Sequence, residues 1–169
     1  MTSSVPADPH ALYYDAALRE VPVQIASGAV VTVGTGIAFW VENVRAYSTG
    51  LTFSTRLVVS SELHQKLELS VGPQIDGFFD PMFDSPAMKF DTWAVADGVR
   101  RQSSDGSLHS LGGGAVPRVF FAEWWIPQQD VATLRIGFSW PTPDLAGDAD
   151  VALTPLYSRP VPIRLDGVS

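Results

Sequence analysis

Hydrophobic residues occupy every second position along two neighbouring stretches of the sequence, 37–45 and 51–59. Side chains of a β-strand point alternately to opposite faces, so this period of two residues predicts two half-buried strands. The predicted buried faces consist of Ile37, Phe39 and Val41 in the first strand and of Leu51, Phe53, Thr55, Leu57 and Val59 in the second. Because a sheet with one apolar face has to pack against another apolar layer, we expect a layered β-structure.

The turn between these strands, Tyr47 to Gly50, decides which residues face each other. If the two strands form a hairpin, their apolar faces coincide only when the loop has an odd number of residues. A three-residue loop would place Glu42 opposite Arg56, as an oppositely charged cross-strand pair. We therefore expect this pair, with a connection that crosses between two sheets as the alternative.

Similar strand patterns recur along the rest of the chain. Arg118 to Ile126 and Leu134 to Trp140 are strongly apolar, and each is followed by a proline. Residues 88–102 are typical of a hairpin around Asp97-Gly98, and Pro22 predicts an edge strand because it lacks an N–H group. About seven to nine short strands without a long helix predict an all-β sandwich. An immunoglobulin-like or fibronectin-like arrangement is the first choice, and a jelly roll is the alternative.

The segments between the clear strands are less regular. Residues 60–70 fit either an edge strand or a helical turn, and the acidic stretch Asp144 to Asp150 is predicted to be a loop that leads to an edge strand over 151–165. Residues 72–87 and 103–115 are rich in residues that favour turns, and they are predicted to be long loops.

The length of 169 residues suits one domain. Residues 1–18 form the expected N-terminal arm, partly disordered or a short helix, and residues 19–169 form the expected single sandwich domain. The sequence contains no cysteine, which excludes disulfides and thiolate metal sites. No apolar run approaches the ~20 residues of a membrane span. We therefore expect a cytoplasmic protein that is not inserted in a membrane.

The net charge of −7 argues against nucleic acid as a partner, because phosphate backbones repel an acidic domain. The sequence also lacks the motifs of serine hydrolases, nucleotide-binding loops and zinc proteases. Its three histidines lie in separate segments, at positions 10, 64 and 109. We therefore predict no catalytic residue and no cofactor, and an enzyme is the less favoured class.

Aspartates recur in two segments, which are Asp76, Asp80 and Asp84 in the first and Asp144, Asp148 and Asp150 in the second. Oxygen-rich loops of a sandwich can hold calcium, so the second group supplies weak candidates for metal ligands. Neither segment matches a known calcium-binding pattern, and aspartate also favours turns. No metal site is predicted.

The tryptophans give the most specific functional signal in the sequence. Trp124 and Trp125 are adjacent, so one of them can enter the core while the other faces outwards, and the sequence does not decide which. Trp40 lies on the predicted outer face. Either the chain covers these outer aromatic side chains itself, or they form a contact surface for a partner. The predicted surface comprises Trp40 and one of Trp124 and Trp125, with Glu42, Arg56, Glu123 and Arg135 as its polar rim.

The segments IAFWVENVRAYSTGLTFSTRLVV and FFAEWWIPQ, followed by LRIGFSWP, carry a resemblance. They look similar to uncharacterised small all-β proteins of high-G+C actinobacteria, and the likeness covers most of residues 20–155. The resemblance implies a bacterial all-β protein. It transfers no functional residue, because no activity is established for that group.

The sequence thus favours a non-enzymatic protein-binding or assembly module. Such a module would present its aromatic outer sheet face, or the loops 72–87 and 103–115, to a protein partner or to a second copy of itself. The alternative is a carbohydrate-binding or hydrolytic β-sandwich that uses carboxylates beside exposed tryptophans. The two hypotheses differ in shape, because an enzyme or lectin needs a concave pocket and an assembly module needs a flat patch that excludes water.

Overall fold

A computed structural model of the protein describes residues 9–71, 90–102, 118–154 and 160–163. All strand pairs in this part of the chain are antiparallel, and they form two four-stranded sheets and one two-stranded ribbon. In chain order the elements are α1 (Pro9–Arg19), β1 (Glu20–Val21), β2 (Val23–Gly34), β3 (Ile37–Tyr47), β4 (Gly50–Val59), α2 (Ser61–Val71), β5 (Asp91–Ala96), β6 (Val99–Gln102), β7 (Arg118–Ile126), β8 (Leu134–Trp140), β9 (Leu145–Val151) and β10 (Val161–Pro162).

The first sheet has the strand order β2-β3-β4-β7 and the second has the order β6-β5-β8-β9, while β1 and β10 form the ribbon. The predicted inward faces of β3, β4 and β8 are buried between the two sheets. Phe39 and Phe138 join the sheets, with ring centroids 4.9 Å apart. The predicted all-β two-sheet sandwich is therefore confirmed, and the immunoglobulin-like or jelly-roll type stays a prediction.

The hairpin of β3 and β4 differs from the predicted register. Its loop has two residues, since Tyr47 pairs with Gly50, and Glu42 lies opposite Ser54 rather than opposite Arg56. A β-bulge between Glu42 and Arg45 inserts one residue, and Asn43 adopts a left-handed φ of 58° there. The even loop alone would turn the apolar faces of the two strands to opposite sides. The bulge brings the apolar faces of β3 and β4 back to the same side of the sheet. The expected Glu42–Arg56 cross-strand pair was therefore wrong, whereas the predicted buried faces were right.

Pro22 and the pairing of β9 with β8 determine which strands lie at the edges of the two sheets. Pro22 separates β1 from β2, so Val21 leaves the first sheet and pairs with Val161 in the ribbon. β2 is an edge strand of the first sheet, as Pro22 predicts. The predicted loop Asp144–Asp150 is wrong, because Leu145–Val151 forms β9 and pairs with β8 along its whole length. Asp148 and Asp150 occupy alternate, exposed positions of that strand. Pairing of β9 with β8 outweighs the low strand propensity of these aspartates.

Two helices complete the described chain. α1 spans Pro9–Arg19 and covers the second half of the segment that the sequence predicts to be an N-terminal arm. α2 shows that the ambiguous segment 60–70 is mostly helical, and the Ser60 hydroxyl accepts a hydrogen bond from the Leu63 amide at its start (3.3 Å). The predicted loops 72–87 and 103–115, with Asp76, Asp80 and Asp84, lie outside the described residues. Among the described helices, none is long and apolar enough to cross a membrane.

Candidate functional site

Trp124 lies inside the sandwich. Its side chain is 1% exposed and stacks on Phe53, with ring centroids 5.4 Å apart and planes inclined by 13°. The indole N–H donates a hydrogen bond to the Thr55 hydroxyl (3.2 Å), which satisfies its polar atom in the apolar interior. Trp124 is therefore the tryptophan of the adjacent pair that enters the core, and it does not contribute to a surface of the folded chain.

Trp125 faces the opposite side of the sheet but is also only 1% exposed. The covering element is α1, whose Tyr13 ring lies 5.6 Å from the Trp125 ring, and Tyr47 lies 5.9 Å from it on the sheet. The indole also extends across Gly50, where a Cβ atom would come within 2.6 Å of the ring. Its Nε1 has no hydrogen-bond acceptor within the described chain. The helix thus covers the part of the outer face of the first sheet around Trp125.

Burial between α1 and the first sheet also affects Tyr13 and Tyr47. Desolvation raises the pKa of Tyr13 and of Tyr47, and the negative charge of Glu123 adds to both shifts. Both phenols are therefore neutral at pH 7 and serve as packing groups with a polar end. Glu123 lines a polar cavity of about 180 Å³ beside them, together with Arg45.

Trp40, Glu42 and Arg56 form a connected group on the outer face of the first sheet, where Trp40 and Glu42 are partly exposed and Arg56 is exposed. The Trp40 indole N–H donates to Glu42 Oε2 (3.1 Å), and the Arg56 Nε–H donates to Glu42 Oε1 (2.5 Å). Trp40 and Arg56 lie directly opposite each other in β3 and β4. One carboxylate therefore fixes the orientation of both the aromatic and the cationic side chain.

Two exposed valines of β2 extend this group. Val30 pairs with Trp40 and is 65% exposed, and Val33 pairs with Ala38 and is 72% exposed. The sequence pattern did not single out these valines, although their position on an edge strand next to Trp40 could have indicated them. We refer to Val30, Val33, Trp40, Glu42 and Arg56 as the open face.

The remaining predicted site residues do not contact this group in the same way. Glu123 is exposed and pairs with Ser54, which also pairs with Glu42, so Glu123 lies two strands from Glu42 on the same outer face. Arg135 lies in the second sheet. Arg135 Nε is 3.3 Å from an oxygen of Asp148 and 3.0 Å from one of Asp150, so it bridges two of the candidate metal ligands. Asp144 lies in the turn before β9. Within the described ranges, no three acidic or histidine side chains are grouped closely enough to hold a metal ion.

A second exposed apolar surface was not predicted. It lies where α1 meets the ribbon, since the Ile163 amide donates to the Arg19 carbonyl (2.6 Å) and Val21 pairs with Val161. We refer to it as the terminal patch, and it consists of Tyr14, Leu18, Val21, Val161 and Ile163. The ribbon is separate from both main sheets, and prolines 22, 160 and 162 flank it or lie within it.

The chain matches no protein-family model, no curated protein and no solved structure.

Proposed function

We propose that this chain is a non-enzymatic assembly module, which associates with a second copy of itself through the open face. The observation that supports this most is the group of Trp40, Glu42 and Arg56 next to two valines that are 65% and 72% exposed. Contiguous apolar surface with a polar rim is typical of protein contact sites.

The open face has the side chains that contribute most binding energy in protein interfaces. Tryptophan and arginine are enriched among such residues, and burying them at the centre of an interface excludes water. Trp40 and Arg56 are already oriented by Glu42, and they project from paired strands in the interior of the first sheet. Less conformational entropy is therefore lost when they are immobilised in a complex.

The charge distribution supports a second copy as the partner. The chain carries a net charge of −7, whereas the open face has one carboxylate and one guanidinium group. A face with balanced charges is complementary to itself, because a two-fold axis can bring Arg56 of one copy near Glu42 of the other. The terminal patch is a weaker choice, since its ribbon strands have two residues each and order its side chains less firmly.

A carbohydrate-binding module is the second candidate. Trp40 places an aromatic ring beside a carboxylate and a guanidinium group, and these groups bind sugar rings and sugar hydroxyls in many proteins. Both oxygens of Glu42 already accept hydrogen bonds from within the chain, which leaves fewer acceptor positions for a sugar. For this reason we favour the assembly module.

Four further assignments are also proposals. We propose an immunoglobulin-like sandwich from the strand pattern, and a cytoplasmic compartment from the missing cysteine. We propose an actinobacterial family from the resemblance, and the net charge of −7 argues against nucleic acid as a partner.

Sedimentation equilibrium tests the assembly directly. We expect the wild-type chain to show twice its monomer mass of 18.2 kDa at micromolar concentration. Val33→Glu should return the mass to that of the monomer, because it buries an unpaired charge in the contact. Val161→Glu is the matched control, since it introduces the same charge at an exposed valine of the terminal patch, and it should leave the dimer intact.

Three results would contradict the proposal. They are a wild-type chain that remains a monomer up to millimolar concentration, a dimer that survives Val33→Glu, and a dimer that only Val161→Glu dissociates. Saturable binding of an oligosaccharide that Trp40→Ala abolishes, on a chain that stays monomeric, would support the second candidate instead.

A further inference from the structure

A cavity of about 410 Å³ opens at the end of the sandwich where β3 turns into β4. Its floor is apolar and consists of the buried side chains of Ile25, Ala46 and Leu51, with Val131 and Leu153 packed beside them against the core. This volume lies near the lower end of the range for small-molecule pockets, about 300–1,000 Å³. The cavity is therefore large enough to accommodate a short hydrocarbon group against its apolar floor.

The segments that wall this cavity are held by hydrogen bonds. The Thr154 amide donates to the Ile25 carbonyl (2.6 Å), which joins the segment after β9 to β2. Asp97 accepts a hydrogen bond from the Ala132 amide (3.0 Å) and another from the Gln128 side chain (2.9 Å). The cavity is thus preformed, and a ligand would not have to order its walls.

The described lining of the cavity carries a negative charge. Asp130 is the only charged side chain among the lining residues that the structure describes, and it is exposed. Tyr47 also lines the cavity, but burial raises the pKa of its phenol, so it adds no charge. Gln128 and Thr154 add hydrogen-bonding groups to the rim. A cationic group is therefore favoured at the mouth over an anionic one.

We propose that this cavity binds a small amphiphilic cation, with a primary ammonium group beside Asp130 and a short unbranched hydrocarbon tail on the apolar floor. This inference is independent of the assembly function, since none of the lining residues belongs to the open face.

NMR titration with n-hexylammonium chloride tests the site, because a chain of 18.2 kDa gives resolved amide signals. Saturable shift changes are expected at the amides of Leu51, Val131 and Leu153. Hexanoate has the same tail with a negative head, and it should bind at least threefold more weakly. The neutral 1-hexanol should fall between the two, because it retains the apolar contact but not the charge interaction.

Asp130→Asn removes the charge and keeps the shape of the side chain. We expect it to weaken hexylammonium binding about threefold, which is typical of one exposed charge pair, and to leave hexanol binding unchanged. Asp144→Asn is the matched control, because Asp144 is also exposed and also has a left-handed φ, 52° against 50° for Asp130. It lies at the far end of β8 from the cavity, and its substitution should change neither affinity.

Each other outcome overturns the proposal. An absence of saturable shifts at the lining amides excludes the cavity as a binding site. Equal affinity for hexylammonium and hexanoate, or an Asp130→Asn variant that binds hexylammonium as the wild type does, excludes the carboxylate as the group that selects a cation.

Discussion

Tyr13 packs against Trp125 with the two ring centroids 5.6 Å apart, and this contact holds α1 on the outer face of the first sheet. Trp125 would otherwise be a large exposed aromatic side chain on an edge strand of that sheet. Because the helix covers it, the outer face consists of a covered part around Trp125 and the open face around Trp40. The position of α1 therefore determines which part of the outer face is covered.

Replacing Tyr13 with alanine should uncover Trp125. We expect Tyr13→Ala to lower the free energy of unfolding by about 2 kcal/mol, through lost apolar contact and the lost ring contacts with Trp125 and Tyr47. Its tryptophan emission should shift to longer wavelength. Tyr14→Ala is the control, since Tyr14 is 58% exposed, and it should change stability by about 0.5 kcal/mol or less. Equal losses for both variants in urea unfolding would show that the Tyr13 contact does not hold the helix.

The alternation of apolar residues predicted the strands β3, β4, β7 and β8 and the buried faces of β3, β4 and β8, because each has a strongly apolar face of its own. The bulge at Asn43 was not predictable in this way, since one inserted residue is decided by the partner strand. β9 was missed for a related reason. Its aspartates suit a loop when considered alone, and pairing with β8 supplies the energy that makes them a strand.

Thr55 provides the hydrogen-bond acceptor for Trp124 in the core (3.2 Å). Thr55→Val keeps the shape of the side chain and leaves the indole N–H buried without a partner, so it should cost about 1–3 kcal/mol of unfolding free energy. Thr52→Val is the matched control, because Thr52 lies on the same strand and faces outwards. It should be nearly neutral in urea unfolding. Equal effects of the two substitutions would mean that the hydrogen bond contributes nothing.

The sequence predicted only part of the candidate site. Trp40, Glu42 and Arg56 were predicted to lie together, and they do, although the bulge changes which of them face each other. The sequence left open which of Trp124 and Trp125 enters the core and whether the chain itself covers the outer one, because adjacent strand residues point to opposite faces in either case. The deciding contacts, from Thr55 and from Tyr13, come from distant parts of the chain.

Gly137 leaves room for a tryptophan on the outer face of the second sheet. It lies opposite Trp93, and a Cβ atom at this position would come within 2.2 Å of the Trp93 ring, which also has the Arg100 guanidinium 4.4 Å above it. Gly137→Ala should therefore displace the ring and cost about 2 kcal/mol. Gly34→Ala is the control, since a Cβ atom there meets nothing closer than 3.8 Å. Calorimetry should show a lower melting temperature for the first variant alone, and equal melting temperatures would contradict the predicted clash.

Asp97 should make stability depend on pH in the acidic range. Hydrogen bonds from the backbone amide of Thr133 and from neighbouring groups lower the pKa of its carboxyl below the ordinary value of 3.8. The charged form is the one that these donors stabilise, so this contribution is complete above pH 3.8 and disappears as the pH falls through the lower pKa of the folded state. Asp97→Asn should therefore lower the urea midpoint at neutral pH, and its difference from the wild type should shrink below the ordinary pKa of aspartate.

Asp144→Asn, which replaces another aspartate with a left-handed φ, controls for the loss of one negative charge. A difference between Asp97→Asn and the wild type that stays constant down to strongly acidic pH would show that the donors do not act through the carboxylate charge.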